Sequence, residues 1–360
     1  MRHFKLDWIL GILSAGCLAW IATLNVGWAE QPTTPRNTPA QVLQLLEQNS
    51  TKTPPAIVVG QYLAHGNHLP WGRREWLEKL GTETSHLPVI VGADYAYGNG
   101  RSDDPDRHAI NTILIELWKK GHLIALSWHA RNPVTGGTAF DNSPVNLAEL
   151  NDPQSAAGQE WFKNLDRIGA ALAELQKAGV VVIWRPFHEM NGRWFWWGNQ
   201  EDDLNGSRRR DFVQLWKNTR SYLENRWGLK NLLWVYCASD GAHSASAKHP
   251  ERAADYFYPG DAECDIVAID SYSDPFRITG YETIKALGKP MAIAEFGPPE
   301  KSDKTLVLPE FLNILMTRYP GFLYCYAWDG RYALRKQRGT REFLEDPRTI
   351  TLDKWITPAK

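Results

Sequence analysis

The chain has 360 residues, with 40 Lys and Arg against 41 Asp and Glu, for a formal net charge of −1. That balance leaves no electrostatic footprint for a nucleic acid or an anionic membrane, and 43% hydrophobic with 22% charged residues is the composition of an ordinary globular protein. The unusual figure is 17 tryptophans; indole has a flat apolar face and one N–H donor, which suits binding surfaces as well as cores.

Residues 1–29 read as a secretory signal peptide. Arg2 and Lys5 form a basic start, 8–26 is almost wholly apolar, and Gly27 and Ala29 are small residues where a signal peptidase reads. The apolar run is also long enough to span a bilayer, so an uncleaved anchor through 8–26 is the alternative. Either way the body of the protein is expected outside the cell, in the periplasm or at the cell surface. Residues 30–55, rich in Pro, Thr, Gln and Asn, read as a linker with a short helix at 40–48. Beyond Cys17 only Cys237, Cys264 and Cys325 remain, which allows at most one disulfide; Cys237 and Cys325 read as small core residues.

From residue 56 the pattern is regular. Continuous apolar runs at 57–62, 88–93, 123–128, 180–184, 232–237, 266–269, 291–294 and 322–327 have the form of strands buried on both faces. Amphipathic helices are expected between them at 107–120, 161–178, 210–227 and 310–318, with Gly121 and Gly179 ending two. Eight strands with helical crossovers predict one α/β domain over 56–360, a single (β/α)8 TIM barrel. An open doubly wound sheet is the alternative, but no Gly-rich phosphate loop follows the first run.

Active sites of such barrels lie at the C-terminal ends of the strands. There the chain places Gln61, Tyr62 and His65; Asp94 and Tyr95; Trp128, His129 and Arg131; Arg185, His188 and Glu189; Tyr236, Ser239 and Asp240; Asp270 and Tyr272; Glu295 and Phe296; Trp328 and Asp329. Glu189 ends the fourth run and Glu295 the seventh, so barrel closure sets two carboxylates across one mouth lined with indole. That pairing suggests glycoside hydrolysis, in which one group protonates the leaving oxygen and the other attacks the anomeric carbon or activates water. His65 and His68 have no third ligand at useful spacing, and no metal or other cofactor is expected. At least one of Phe195, Trp196 and Trp197 is expected to pack beneath its loop. The long segments 130–159 and 190–209 are expected to shape an open cleft.

The stretch WRPFHEMNGRWFWWG (184–198) resembles the signature around the acid/base of glycoside hydrolase family 26, and AIAEFG (292–297) resembles its nucleophile strand. The resemblance covers 56–335 and implies a retaining (β/α)8 glycosidase. It implies Glu189 as general acid/base and Glu295 as nucleophile. It further implies His188 as a residue hydrogen-bonded to the nucleophile region and to the sugar, Trp194 as a frame of the catalytic centre, Tyr272 as a contact of the nucleophile and Trp328 as a floor for the sugar. Trp128 and His129 match a pair after the third strand, and Arg185 is expected to brace the carboxylates. The implied activity is a secreted endo-β-1,4-mannanase, a monomer acting on a polysaccharide. A mixed-linkage β-glucanase or a β-1,3-xylanase of the same family is the alternative, and a non-catalytic polysaccharide-binding protein the reading from another class.

Overall fold

Eight apolar runs become eight parallel strands in the computed structural model of this chain, which describes residues 36–65, 71–95, 104–199, 203, 205–299 and 301–356. The expected signal or anchor (1–29), the start of the expected linker (30–35) and His68 lie outside the described residues. The strands are β1 (Ile57–His65), β2 (Ile90–Asp94), β3 (Leu123–Trp128), β4 (Val182–Pro186), β5 (Leu232–Ser239), β6 (Ile266–Tyr272), β7 (Met291–Gly297) and β8 (Phe322–Ala327). Each pairs with the next, and β1 pairs with both β2 and β8, which closes the sheet. Helices Asp104–Lys119, Ala156–Lys177, Ser207–Ser221 and Leu308–Arg318 lie between strands, close to their expected places. The fold is therefore a single (β/α)8 barrel. Gly121 (φ 101°) and Gly179 (φ 76°) sit just past two helix ends in the left-handed region that only glycine adopts without strain.

Six strands, all but β3 and β8, run further toward the mouth than the apolar runs suggest. β4 includes Arg185, β6 includes Asp270 and Tyr272, and β7 includes Glu295. Polar side chains stay in the ladder here because they point into the barrel and find partners there. Side chains alternate along a strand, so Arg185 faces in and Trp184 faces out. On β3, Ser127 faces in and Trp128 out. The interior is filled by rings opposite glycines. Tyr326 from β8 occupies the space that β-carbons at Gly60 and Gly92 would need.

The short helix expected at 40–48 is present, slightly longer, and it is docked on the barrel. Residues 39–50 form helix Pro39–Ser50, which packs against β1, β5 and β8 with Val42 and Leu46 buried. A capping box starts it: the Gln41 N–H donates to Thr38 Oγ1 at 3.3 Å, and the Thr38 N–H to Gln41 Oε1 at 3.2 Å. Arg36 donates to the carbonyls of Trp118 and His122, just before β3, and lies 3.9 Å from the Trp118 ring centroid. The helix therefore lies across the N-terminal ends of the strands, opposite the mouth. Cys237, Cys264 and Cys325 are buried and free, with no disulfide among them.

At the mouth, the loops after β3 and β4 are joined. The indole N–H of Trp196 donates to Ala130 O at 2.8 Å, and Asn142 Nδ2 donates to Arg193 O at 3.0 Å. Arg208 clamps both loops, donating to Val145 O (2.7 Å), Trp196 O (2.6 Å) and Gly198 O (3.1 Å). Phe195, Trp196 and Trp197 are all buried, so all three pack beneath the loop, where at least one was expected to.

Gly92→Ala is expected to destabilise the barrel by about 1–3 kcal/mol, because its methyl group would overlap the Tyr326 hydroxyl and the Ala125 carbonyl. Calorimetric melting of the variant against the parent checks this; an unchanged melting temperature would show that the Tyr326 ring has room to move.

Candidate active site

β4 ends because Pro186 has no N–H for the ladder. The chain then turns through Phe187 (φ 51°) and Glu189 (φ 55°), both in the left-handed region that side chains with a β-carbon adopt only at a cost of about 1–2 kcal/mol. The Glu189 N–H is held by Cys237 O on β5 at 2.7 Å. This turn lifts a half-buried Glu189 carboxyl into the mouth, where its Oε2 accepts from the Trp194 indole N–H at 2.6 Å. The indole in turn lies over Gly192, whose missing β-carbon leaves room for it.

Glu295 stands on β7, 6% exposed. One carboxylate oxygen accepts from Arg185 Nη2, and the other accepts from the Tyr272 hydroxyl at 2.6 Å. Arg185 Nη1 donates to Asp270 Oδ2 at 2.7 Å, and the Cys237 thiol lies 3.1 Å from Asp270 Oδ1. Burial works against the Arg185 charge, but Asp270 and Glu295 outweigh it and hold the guanidinium above its usual pKa. Burial likewise pushes Asp270 up, to about 8, more than Arg185 lowers it. Tyr272 is raised well above its usual value by burial and by the charge of Glu295, so it keeps its proton and donates it.

Glu189 is the opposite case. Burial first, then the charges of Asp270 and Glu295, hold its pKa well above the ordinary carboxylate range; the Trp194 hydrogen bond and Arg185 lower it by less. Two carboxyl groups thus share one mouth in different surroundings, Glu295 accepting from two donors and Glu189 pushed toward its acid form.

The other residues expected here divide by the side of the sheet they occupy. Trp328 lies at the mouth, its ring stacked on Tyr62 at 3.8 Å and 6.1 Å from His129. Gln61 pins the chain after β8 by donating to Trp328 O at 2.9 Å and accepting from the Leu334 N–H at 2.8 Å. His188 requires a correction: its Nε2 lies 3.2 Å from His129 Nε2, and the hydrogen bonds to Glu295 come from Arg185 and Tyr272 instead. Trp128 is the second correction. It faces out of the barrel and stacks on Trp161 of the helical layer at 5.2 Å, so it is a core residue and not part of the cleft. Tyr95, Tyr236 and Phe296 also turn outward, to Asn111, the Ala254 carbonyl and Phe311. Asp240 secures the loop after β6 through Thr279 and Gly280, Ser239 caps the turn after β5, and Asp329 is buried. Arg131 is directed at Gly136 O. The side chain of His65 lies outside what is described.

Three residues of the site were not singled out by sequence. Cys237 was read as core filler, but it shares the inward parity of β5 and touches the Arg185–Asp270 pair. Tyr332, in a turn after β8, packs its ring 5.0 Å from Tyr272. Phe140, 47% exposed, stands over Phe195 at 5.0 Å and His129 at 6.0 Å. The aromatic spacing of the cleft loops was the available signal for Phe140; nothing local marks Tyr332.

A closed parallel barrel that carries such a divided glutamate pair at the ends of β4 and β7, in an aromatic mouth, is the architecture of a two-carboxylate glycoside hydrolase. The family model described as glycosyl hydrolase family 26 matches residues 58–354, and the chain belongs to that family. It is 32% identical over 285 residues to a protein of Caldalkalibacillus mannanilyticus named mannan endo-1,4-beta-mannosidase A and B, an alignment covering 75% of this chain and 53% of that one. It is 33% identical over 287 residues to a mannan endo-1,4-beta-mannosidase of Bacillus subtilis, covering 76% and 75%. The solved structure of a Bacillus subtilis mannanase superposes with a TM-score of 0.76 at 27% identity, over 89% of this chain and 95% of that one.

Glu295→Gln removes the charge that faces Glu189, so the pKa of Glu189 is expected to fall and its acid form to be lost at lower pH than in the parent. Carbon-detected NMR titration of labelled glutamate checks this; an unmoved or raised titration would mean the two groups do not sense each other.

Proposed function

We propose that the chain is a retaining, endo-acting β-glycanase whose substrate is a β-1,4-mannan. The observation that carries the reading is the divided pair: Glu295 held by Arg185 and Tyr272, and Glu189 pushed toward its acid form by burial and by the charges of Asp270 and Glu295. The naming of its relatives in family 26 as mannanases supports the choice of polymer. The joined loops after β3 and β4 support an extended cleft wall, which suits internal attack on a chain.

In the first step Glu295 attacks the anomeric carbon while Glu189 delivers its proton to the departing glycosidic oxygen. The product is a glycosyl ester on Glu295. Esterification removes the negative charge from Glu295, so one of the causes that raises Glu189 disappears. Glu189 then accepts a proton from water as that water attacks the anomeric carbon and displaces the Glu295 carboxylate, and both groups return to their starting forms. Arg185 and Tyr272 hold the nucleophile oxygens throughout and stabilise the carboxylate as it leaves. Trp194 holds the Glu189 oxygen toward the leaving group. Trp328, stacked on Tyr62, offers the sugar a rigid apolar face. Export from the cytoplasm is part of the same reading and rests on the basic-then-apolar pattern of residues 1–29.

The test is hydrolysis of soluble mannan, lichenan and β-1,3-xylan, with the product sizes measured. Internal cleavage of mannan is expected; release from lichenan or xylan alone would reassign the polymer, and binding without release from any would make the protein a lectin-like binder. Glu295→Ala is expected to abolish turnover, and added azide to restore part of it with an α-glycosyl azide as product. A β-azide would exchange the roles of the two glutamates.

A further inference from the structure

Behind Glu189 runs a buried column of three ionisable groups that the reaction above does not use. Asp94, at the end of β2, is fully buried and grips His129 at two points. Its Oδ1 accepts from the His129 backbone N–H at 3.1 Å, and its Oδ2 lies 2.7 Å from His129 Nδ1. The other nitrogen of that ring, Nε2, lies 3.2 Å from Nε2 of His188, the residue before Glu189. His188 is 2% exposed, and its Nδ1 has no partner among the described residues.

These contacts order the ring protons in one direction. Imidazole is a stronger base than a carboxylate, so the proton between Asp94 and His129 sits on Nδ1 and is donated to Oδ2. With that one proton on Nδ1 the His129 ring presents a bare Nε2, which accepts from the Nε2–H of His188. His188 stays neutral, because burial, then the charge of Arg185, holds its pKa well below the usual value. Its one proton is therefore spent on His129, and Nδ1 is left bare.

We propose that Asp94 is a positioning residue of this enzyme, fixing the tautomer and ring plane of His129 and, through it, of the imidazole that adjoins Glu189. The column makes the wall beside the acid a neutral acceptor in a fixed orientation. The consequence for turnover rests on the reading of Glu189 as the acid; the order of the protons does not.

The experiment is nitrogen NMR of histidine-labelled, unliganded protein, which distinguishes a bare ring nitrogen from a protonated one. The parent is expected to show bare Nε2 at His129 and bare Nδ1 at His188. Asp94→Asn has one acceptor where two are needed. If the His129 backbone N–H keeps it, the amide NH2 faces Nδ1 and the order in both rings inverts, with kcat on mannan falling about ten- to a hundredfold and KM changing less. The reverse order in the parent, an unchanged order in Asp94→Asn, or an inverted order with undiminished kcat would each overturn the proposal. Should Asp94→Asn not fold, His129→Gln cuts the same link: a comparable loss of kcat supports the proposal and full activity overturns it. Inactivity of the parent on every polymer, with the expected proton order intact, counts against the glycosidase reading alone.

Discussion

One buried guanidinium organises the mouth of this barrel. Arg185 bridges Asp270 on β6 and Glu295 on β7 from a third strand, β4, and does so where water does not screen it. Removing a single partner from such a buried set leaves an uncompensated charge, which is why it ties three strands together more firmly than its hydrogen bonds alone would. The same residue decides the chemistry. It donates to Glu295 and acts too weakly on Glu189 to offset burial, so one glutamate is gripped by donors while the other is pushed toward its acid. Asp270 and Cys237 are the ground on which that arginine rests, and the Tyr272 hydroxyl completes the grip on Glu295.

The architecture could be read from the chain because strands buried on both faces have to be continuous apolar runs, and eight of them separated by helices admit few solutions. The two glutamates were legible for the same reason: each follows an apolar run, and the barrel rule turns a position in sequence into a position in space. What was illegible was mostly orientation. Trp128 and His129 are adjacent in sequence, yet a strand alternates its faces, so one ring enters the helical layer and the other the cleft. Apolar runs also end before strands do, because a polar residue with inward partners stays in the ladder, as Asp270 and Glu295 show.

Other features depend on pairings that no local pattern announces. Asp94 and His129 are separated by a helix and a strand, and the parallel pairing of β2 with β3 makes them neighbours. The positive φ at Phe187 and Glu189 has no glycine to flag it. The docking of helix Pro39–Ser50, though not the helix itself, was hidden by the composition around it: prolines and threonines suggested a tether, while Val42 and Leu46, one turn apart, carry the apolar stripe that docks it.

The clamp of Arg208 on the two cleft loops has a bearing on how the enzyme meets its polymer. Three carbonyls from segments before and after Glu189 are fixed by one side chain, and the rings beneath them are interlocked. The cleft wall is thus assembled before any sugar arrives. Association then need not order the segments that Arg208 holds, and there the conformational entropy lost on binding falls mainly on the flexible polysaccharide itself. A rigid wall also fixes the groove's width in advance, so a side branch on the polymer is accommodated or refused by the groove as it stands.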